Sequence, residues 1–446
     1  MTAVMAVGVP MGSEALALSA IETETGARWT VAIAGAVVML TTGTVYSWAI
    51  FTQPLLVAFH WDVTVTTTAF SIANFALAAV GALIGGFWQD QVGPRRVALT
   101  GVTFWGMGNL LAGLGTASMG APWLYLTYGV LGGIGVGMAY VTPLAMVTKW
   151  FPDRKGLVGG LVAGAFGLGA FCYNQLVPRL ESFHAAALHA STDLAAKTAA
   201  QTFTAADIDT VMRVFVVSGL VFLVVGLGAA SLFRNPPSSD SKVAAPGYSP
   251  SQVLRTPQFY LLWLQLFVSV IGGLTIISNS VFILADLTRR PAAELAPLFG
   301  LVSICNALGR CFWGAISDRI GCNHTFAALF AVQAITLFCL SEAHSLSAAL
   351  ACVAVVLLCC GGGFGTMPSF NAGYFGTRFM GRNYGLILSA WGFAGVTGPL
   401  WVAHVKDVSG SFAAVLPYLA GLLAVAVVLP FMTRKPPALA GPSDVV

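Results

Sequence analysis

The chain is written largely in apolar runs too long for the core of a soluble domain. Twelve of them, near 29–51, 67–89, 97–118, 122–148, 157–178, 210–233, 258–284, 294–316, 325–343, 346–370, 383–405 and 411–433, are long enough to cross a bilayer, which takes ~17–25 residues of helix. In hydrocarbon every backbone N–H and C=O must be satisfied within the segment, so runs of this length fold as helices. Composition agrees. Of 446 residues, 57% are hydrophobic and 9% charged, against about 25% charged in a soluble domain. The expected class is an all-α polytopic membrane protein whose first partner is the lipid bilayer. A net charge of +4, scattered along the chain, excludes nucleic acid as a partner. The eight cysteines lie in or beside apolar segments with no CxxC, so they read as small apolar side chains rather than a disulfide framework.

The runs fall as six, a polar linker, and six. The linker is the Pro- and Ser-rich stretch "RNPPSSDSKVAAPGYSPSQVLRTP". The expected organisation is a tail over 1–28, a six-helix bundle over 29–234, the linker over 235–256, a second bundle over 257–433 and a tail over 434–446. Two helix starts are signalled locally. Thr204 with Asp207 makes a capping box, and Thr256-Pro257 supplies an N-cap and a first-turn proline. With both termini cytoplasmic, that side holds Arg28, Arg95, Arg96, Lys149, Arg154, Lys155, Arg234, Lys242, Arg255, Arg319, Arg378, Arg382, Arg434 and Lys435. The other side holds Arg179, Lys197, Arg213, Arg289, Arg290 and Lys406, a bias that follows the positive-inside rule. Residues 1–20 carry no Lys or Arg, and Glu14 interrupts them, which is not a signal peptide. The expected location is a bacterial inner membrane.

Arg310 belongs to neither side. In "LFGLVSICNALGRCFWGAISDRIG" it stands eight residues before Asp318, ~12 Å deep at 1.5 Å per residue. A central arginine costs roughly 3 kcal/mol even on the mildest scale. All seventeen acidic residues read as lying in tails, loops or helix ends, so no mid-membrane carboxylate is available to neutralise it. The alternatives are snorkelling to the interface and an anion that arrives and leaves. Guanidinium matches a carboxylate bidentately, and the anion site is the stronger reading. Asn306 lies one turn earlier on the same face, able to donate to that anion or to hold the guanidinium. Tyr46 and Tyr140 sit in segments expected to face a central cavity, with packing and substrate contact equal alternatives for each.

An internal repeat accompanies the arginine. "GFWQDQVGPRR" follows the second run and "GAISDRIG" the eighth, and both read Gly-x-x-x-Asp-x-x-Gly six helices apart. A duplicated bundle is a transporter architecture with its site between the halves. The chain here resembles the major facilitator superfamily, which implies twelve helices in two pseudo-symmetric six-helix bundles and a functional monomer. The resemblance also implies an ion-pair latch at the cytoplasmic face, assigned to Asp90, Arg95, Asp318 and Arg319; Gln91 and Pro94 depart from the usual basic residues. The alternative is charged turns that merely anchor helix ends. Gly156, Gly160 and Gly164 fall on one face of the fifth helix, where small residues four apart allow close packing. No nucleotide loop is present in these glycine runs, which lack the Gly-Lys-Ser/Thr ending.

The stretches "YSWAIFTQPL", "GIGVGMAYVTPLAMVTKWFPDRKG", "GGGFGTMPSFNAGYFG" and "NYGLILSAWGFAGVTGP" narrow the likeness. They are similar to the oxalate:formate antiporter family, akin to the monocarboxylate transporters, over nearly all of the membrane-embedded chain. This implies carboxylate transport by alternating access, with Arg310 as the essential eighth-helix arginine and Tyr46 and Tyr140 lining the site. Trp391 stands where the oxalate antiporter has a lysine, and Cys360 and Phe364 where it has a Trp and a Tyr. One fixed charge suits one carboxylate, so the expected substrates are small carboxylate anions of the pyruvate, lactate or formate type, with Phe364 and Trp391 as an apolar wall. Animal-type relatives carry an Asp where this chain has Asn306, so no proton relay is visible, and exchange and symport stay open. Oxalate:formate or other dicarboxylate exchange is the alternative, and a carboxylate sensor the alternative of another class. No cofactor, metal or enzyme activity is expected. His184 and His189, five apart in the long loop 179–209, are expected to be solvated.

Overall fold

A computed structural model describes residues 11–196, 203–236, 247–290, 292–411 and 413–437, and every regular element among them is a helix. Of the basic residues used for orientation, Lys197 and Lys242 lie outside the described residues. Eleven helices are long and apolar enough to cross a membrane: α1 (Gly26–Ser47), α2 (Thr64–Val92), α3 (Pro94–Met119), α4 (Ala121–Trp150), α5 (Lys155–Arg179), α6 (Ala205–Ala230), α7 (Pro257–Ile277), α8 (Leu298–Ile320), α9 (Cys322–Ser341), α10 (Leu346–Phe375) and α12 (Ala413–Met432). The helix Met380–Ser409 is α11 and takes the remaining place. The chain is thus a multi-pass membrane protein.

The packing repeats with the sequence. α1 lies on α4 and α5, as α7 lies on α10 and α11. α3 packs on α4 and α6, as α9 does on α10 and α12; α2 meets α4 as α8 meets α10. Two seams join the halves, α2 with α11 and α5 with α8, and a six-helix shift converts one into the other. Lipid offers no hydrophobic drive between helices, so such seams rest on close van der Waals approach. The α5–α8 seam is built on the expected glycine face. A Cβ on Gly156 would fall 2.1 Å from the Gly314 carbonyl oxygen, and one on Gly160 would fall 2.3 Å from that of Arg310. Gly164 meets Cys311 and Ala307. At Gly156 and Gly160 no other residue fits without parting the halves.

The repeated turn is explained by its ends. Gly93 and Gly321, the last glycines of the two copies, have φ +85° and +82°, a region that favours glycine. Their N–H groups bond the Gln89 and Ser317 carbonyls at 2.9 and 3.0 Å, stopping α2 and α8 at matching points.

Several local expectations meet a definite outcome. The capping box at the start of α6 forms, with Asp207 accepting from the Thr204 N–H at 2.7 Å. Thr256 does not cap α7; its hydroxyl donates backward to the Val253 carbonyl at 2.7 Å, leaving Pro257 alone to start the helix. The first apolar run is not one helix. It passes through a 3-10 turn, Thr44–Ser47, into a separate helix, Ala49–Phe59. The long loop holds a helix too, Glu181–Ala196, which buries Phe183 and Ala186 against Ala49–Phe59. His184 is exposed, but His189 is not simply solvated: its Nδ1 lies 3.2 Å from Asp207 Oδ2. All eight cysteines are free.

Candidate functional site

Arg310 does not reach the interface. It is 0% exposed, held at mid-seam by the glycine contacts that bring α5 onto its own backbone. One terminal nitrogen, Nη1, donates to the Ala163 carbonyl at 2.9 Å and to the Tyr140 hydroxyl at 3.4 Å. The other, Nη2, donates to Asn306 Oδ1 at 3.4 Å. The Asn306 amide in turn donates to the Leu357 carbonyl at 3.4 Å, so its oxygen faces the guanidinium. These are long bonds apart from the one to Ala163. Among the described residues no carboxylate pairs with Arg310. A buried guanidinium is therefore held by neutral acceptors alone.

Aromatic rings enclose it. The guanidinium carbon lies 4.9 Å from the Phe364 ring centroid and 5.5 Å from that of Phe166, within cation–π range. Trp391 stands edge-on to Phe364 at 4.9 Å, Tyr140 at 5.4 Å and Tyr46 at 5.9 Å. Phe166 closes the ring against Tyr140 at 5.1 Å and Tyr46 at 5.3 Å. Tyr46, Tyr140 and Phe166 come from the first half, and Asn306, Arg310, Phe364 and Trp391 from the second, so the box spans the interface between the bundles. Gly43 lets it form, because a Cβ there would overlap the Phe166 backbone. The 3-10 turn that follows then carries Tyr46 into the box.

The box is rich in donors, and the acceptors named above, the Ala163 carbonyl, Asn306 Oδ1 and the Tyr140 hydroxyl, already face Arg310. Arg310 Nε, Trp391 Nε1, Tyr46 Oη and Tyr384 Oη are buried without a well-formed hydrogen bond, and the polar groups nearest them include one another, Trp391 beside Tyr46 and Tyr384 beside Tyr140. An unmet buried donor costs about 1–3 kcal/mol, so several in one place mark a site that gains by accepting a group rich in lone pairs. A carboxylate, with about four acceptor positions and a negative charge, is such a group.

All six residues read from the sequence as the anion site meet in this box. Phe166, Tyr384 and the Ala163 carbonyl were not foreseen. Phe166 had a signal, as the single aromatic in the glycine run "GGLVAGAFGLGA". Tyr384 had none that separates it from other tyrosines at a helix start.

The two motif aspartates lie at the linker end of the bundle, and the structure gives them partners other than Arg95 and Arg319. Asp90, its side chain 1% exposed, accepts from the backbone N–H of Arg382 at 3.0 Å and of Gly381 at 3.4 Å, at the start of α11. Lys149 Nζ and Arg382 Nε lie 4.0 and 3.9 Å away. Asp318 accepts from the N–H groups of Gly156 and Leu157 at 2.7 and 2.8 Å, at the start of α5. Each carboxylate thus caps a helix of the opposite half, where free N–H groups and the helix dipole favour an anion. Arg95 and Arg319 are exposed and form no ion pair among the described residues. Arg319 follows Asp318 directly, about 100° round the helix from a side chain that faces the seam, and Arg95 lies beyond the break at Gly93 on the next helix.

The family model for the Major Facilitator Superfamily matches residues 31–399. The oxalate:formate antiporter of Oxalobacter formigenes is 30% identical over 190 residues, 41% of this chain and 45% of that protein. Apicoplast pyruvate carrier 1 of Toxoplasma gondii is 33% identical over 154 residues, 31% of this chain and 27% of that one. The chain thus spans less than half the length of these curated relatives. Among solved structures, the fucose:proton symporter of E. coli superposes with a TM-score of 0.69 at 15% identity, covering 91% of this chain and 100% of that one. With the duplicated packing and the repeated turn, these matches place the chain in the Major Facilitator Superfamily, a family of membrane transporters and not of enzymes.

Proposed function

We propose that the protein moves small organic monocarboxylates of the pyruvate, lactate or formate type across a membrane by alternating access, with Arg310 as the anion's partner. One observation carries this reading: a fully buried guanidinium between the two halves, without a carboxylate among the described residues and surrounded by unmet donors. The names of the relatives, an oxalate:formate antiporter and a pyruvate carrier, support a small-anion cargo. In the box Trp391, Tyr46 and Arg310 Nε would take up the carboxylate oxygens while Phe364 and Phe166 exclude water. Exchange and symport both fit, since the cargo supplies the negative charge the site lacks in either mode. Asp90 and Asp318 would form the latch that closes the linker end, through helix N-termini rather than through Arg95 and Arg319. On the Lys and Arg bias, that end is cytoplasmic in a cell inner membrane, and a monomer with bundles over 29–234 and 257–433 suffices.

Dicarboxylate exchange is the second reading, favoured by the antiporter's name. It lacks a second fixed cation beside Arg310, where Trp391 stands. The deciding experiment is uptake of labelled pyruvate into proteoliposomes preloaded with unlabelled pyruvate, for wild type and Arg310→Gln, with lactate, formate and oxalate as competitors. Uptake lost in the variant and blocked by lactate but not oxalate is expected. Undiminished uptake in Arg310→Gln removes the arginine from the site, and block by oxalate favours the second reading.

A further inference from the structure

Away from the central box, a groove of about 450 Å³ runs along the outer face between α1 and α6. Its walls are Ile33 and Val37 on one helix and Val224, Val225 and Leu232 on the other. Its floor is Ala34 and Ala229, and Gly228 leaves a gap in the α6 wall, where a Cβ would meet nothing within 4 Å. Ile33 and Val224 are 62% and 75% exposed, so in a bilayer this groove faces acyl chains.

Its linker end differs from the rest. There Arg28 begins the α1 wall and Arg234 follows the α6 wall, both reaching the surface. The two are joined through one corner: Arg28 lies over the Phe151 ring at 4.7 Å, and the indole of the adjacent Trp150 donates to the Arg234 carbonyl at 2.8 Å. Asp153 is the carboxylate of this corner, 3.6 Å from Arg28 and 3.9 Å from Arg154. Among the described residues, three arginines stand against one aspartate at this corner. Arg28 Nε is also buried without a hydrogen bond. Trp29, 40% exposed and edge-on to Phe151 at 5.1 Å, sits where an indole suits the headgroup level.

We propose that this groove is a binding site for an anionic phospholipid, with one acyl chain between α1 and α6 and the headgroup phosphate against Arg28 and Arg234. A basic corner at the end of an apolar channel between two membrane helices has the charge and shape such a lipid requires. The site stands independently of what the central box carries.

The test equilibrates the purified full-length protein in detergent with equal amounts of phosphatidylglycerol and phosphatidylcholine. Retained lipid is then quantified by mass spectrometry and oligomeric state by light scattering. Wild type should retain phosphatidylglycerol over phosphatidylcholine by about tenfold or more, from two basic contacts. Arg28→Gln with Arg234→Gln should abolish that preference, and Gly228→Leu, which fills the gap in the α6 wall, should abolish retention of both lipids. If Gly228→Leu does not fold, the double arginine variant decides. Equal retention of the two lipids by wild type overturns the proposal, as does an unchanged preference in the double variant. A wild-type dimer that Gly228→Leu turns into a monomer overturns it as well, making the groove an interface between copies.

Discussion

Arg310 is held by a carbonyl, an amide oxygen, a hydroxyl and two ring faces, none of which carries charge. Such a group destabilises the fold that contains it, since a buried charge is costly unless paired. Function and stability should therefore separate at this residue. Arg310→Gln should abolish exchange yet unfold, by a thermal scan in detergent, at or above the wild-type midpoint; a lower midpoint would mean that the arginine serves the fold. Arg310→Lys keeps the charge but loses the planar fork, and should weaken substrate affinity by about tenfold or more. Replacing Trp391 by 3-benzothienylalanine keeps the bicyclic packing of this fully buried ring and deletes only the indole N–H. The KM should rise by about three- to tenfold with an unchanged midpoint, the worth of one hydrogen bond. An unaltered KM would leave Trp391 as wall only.

At the scale of elements, the motif Gly-x-x-x-Asp-x-x-Gly works as one device used twice. Its first glycine lets two backbones touch, as Gly86 does with Gly381 and Gly314 with Gly156. Its aspartate caps the helix so approached, and its last glycine ends its own helix. Asp90→Asn and Asp318→Asn keep the shape but remove charge from a helix N-terminus, which is worth ~0.3–2 kcal/mol. Each should slow exchange by about two- to thirtyfold, whereas Arg95→Gln and Arg319→Gln should stay within about twofold of wild type, as exposed charges do. Equal losses at all four positions would restore the ion-pair latch. The helices themselves could be read from apolar length, and Arg310 stood out because a lone charge in such a run has few explanations. The aspartates' partners could not be read, because Gly381 and Gly156 lie 291 and 162 positions from the carboxylates that bind them. His189 escaped for the same reason: its partner, Asp207, is brought to it only by the docking of Glu181–Ala196.

At the scale of the whole molecule, helix faces bring the halves together among the described residues. α2 packs on α11, α5 on α8 and α10, and α4 on α11, and the central box closes over residues from both sides. The second described end of the linker, from Gly247, bonds to the second half. The Tyr248 N–H donates to the Phe375 carbonyl at 2.9 Å, its own carbonyl accepts from Asn383 at 2.9 Å, and its hydroxyl reaches Pro437. Cutting the chain between Ser239 and Asp240 would leave in place the helix contacts just named, which surround the proposed anion site. Two fragments, 1–239 and 240–446, produced together should co-purify through a tag on either one and catalyse exchange, with the substrate KM within about threefold of the intact chain. The cost is the lost tethering, an effective concentration of order millimolar, which confinement to one membrane offsets. Adding Gly314→Val to the second fragment should abolish co-purification, because its side chain would strike the Gly156 carbonyl, 2.3 Å from the position of the Cβ. Fragments that fold separately yet do not associate would show that the linker, and not the glycine seam, holds the two halves together.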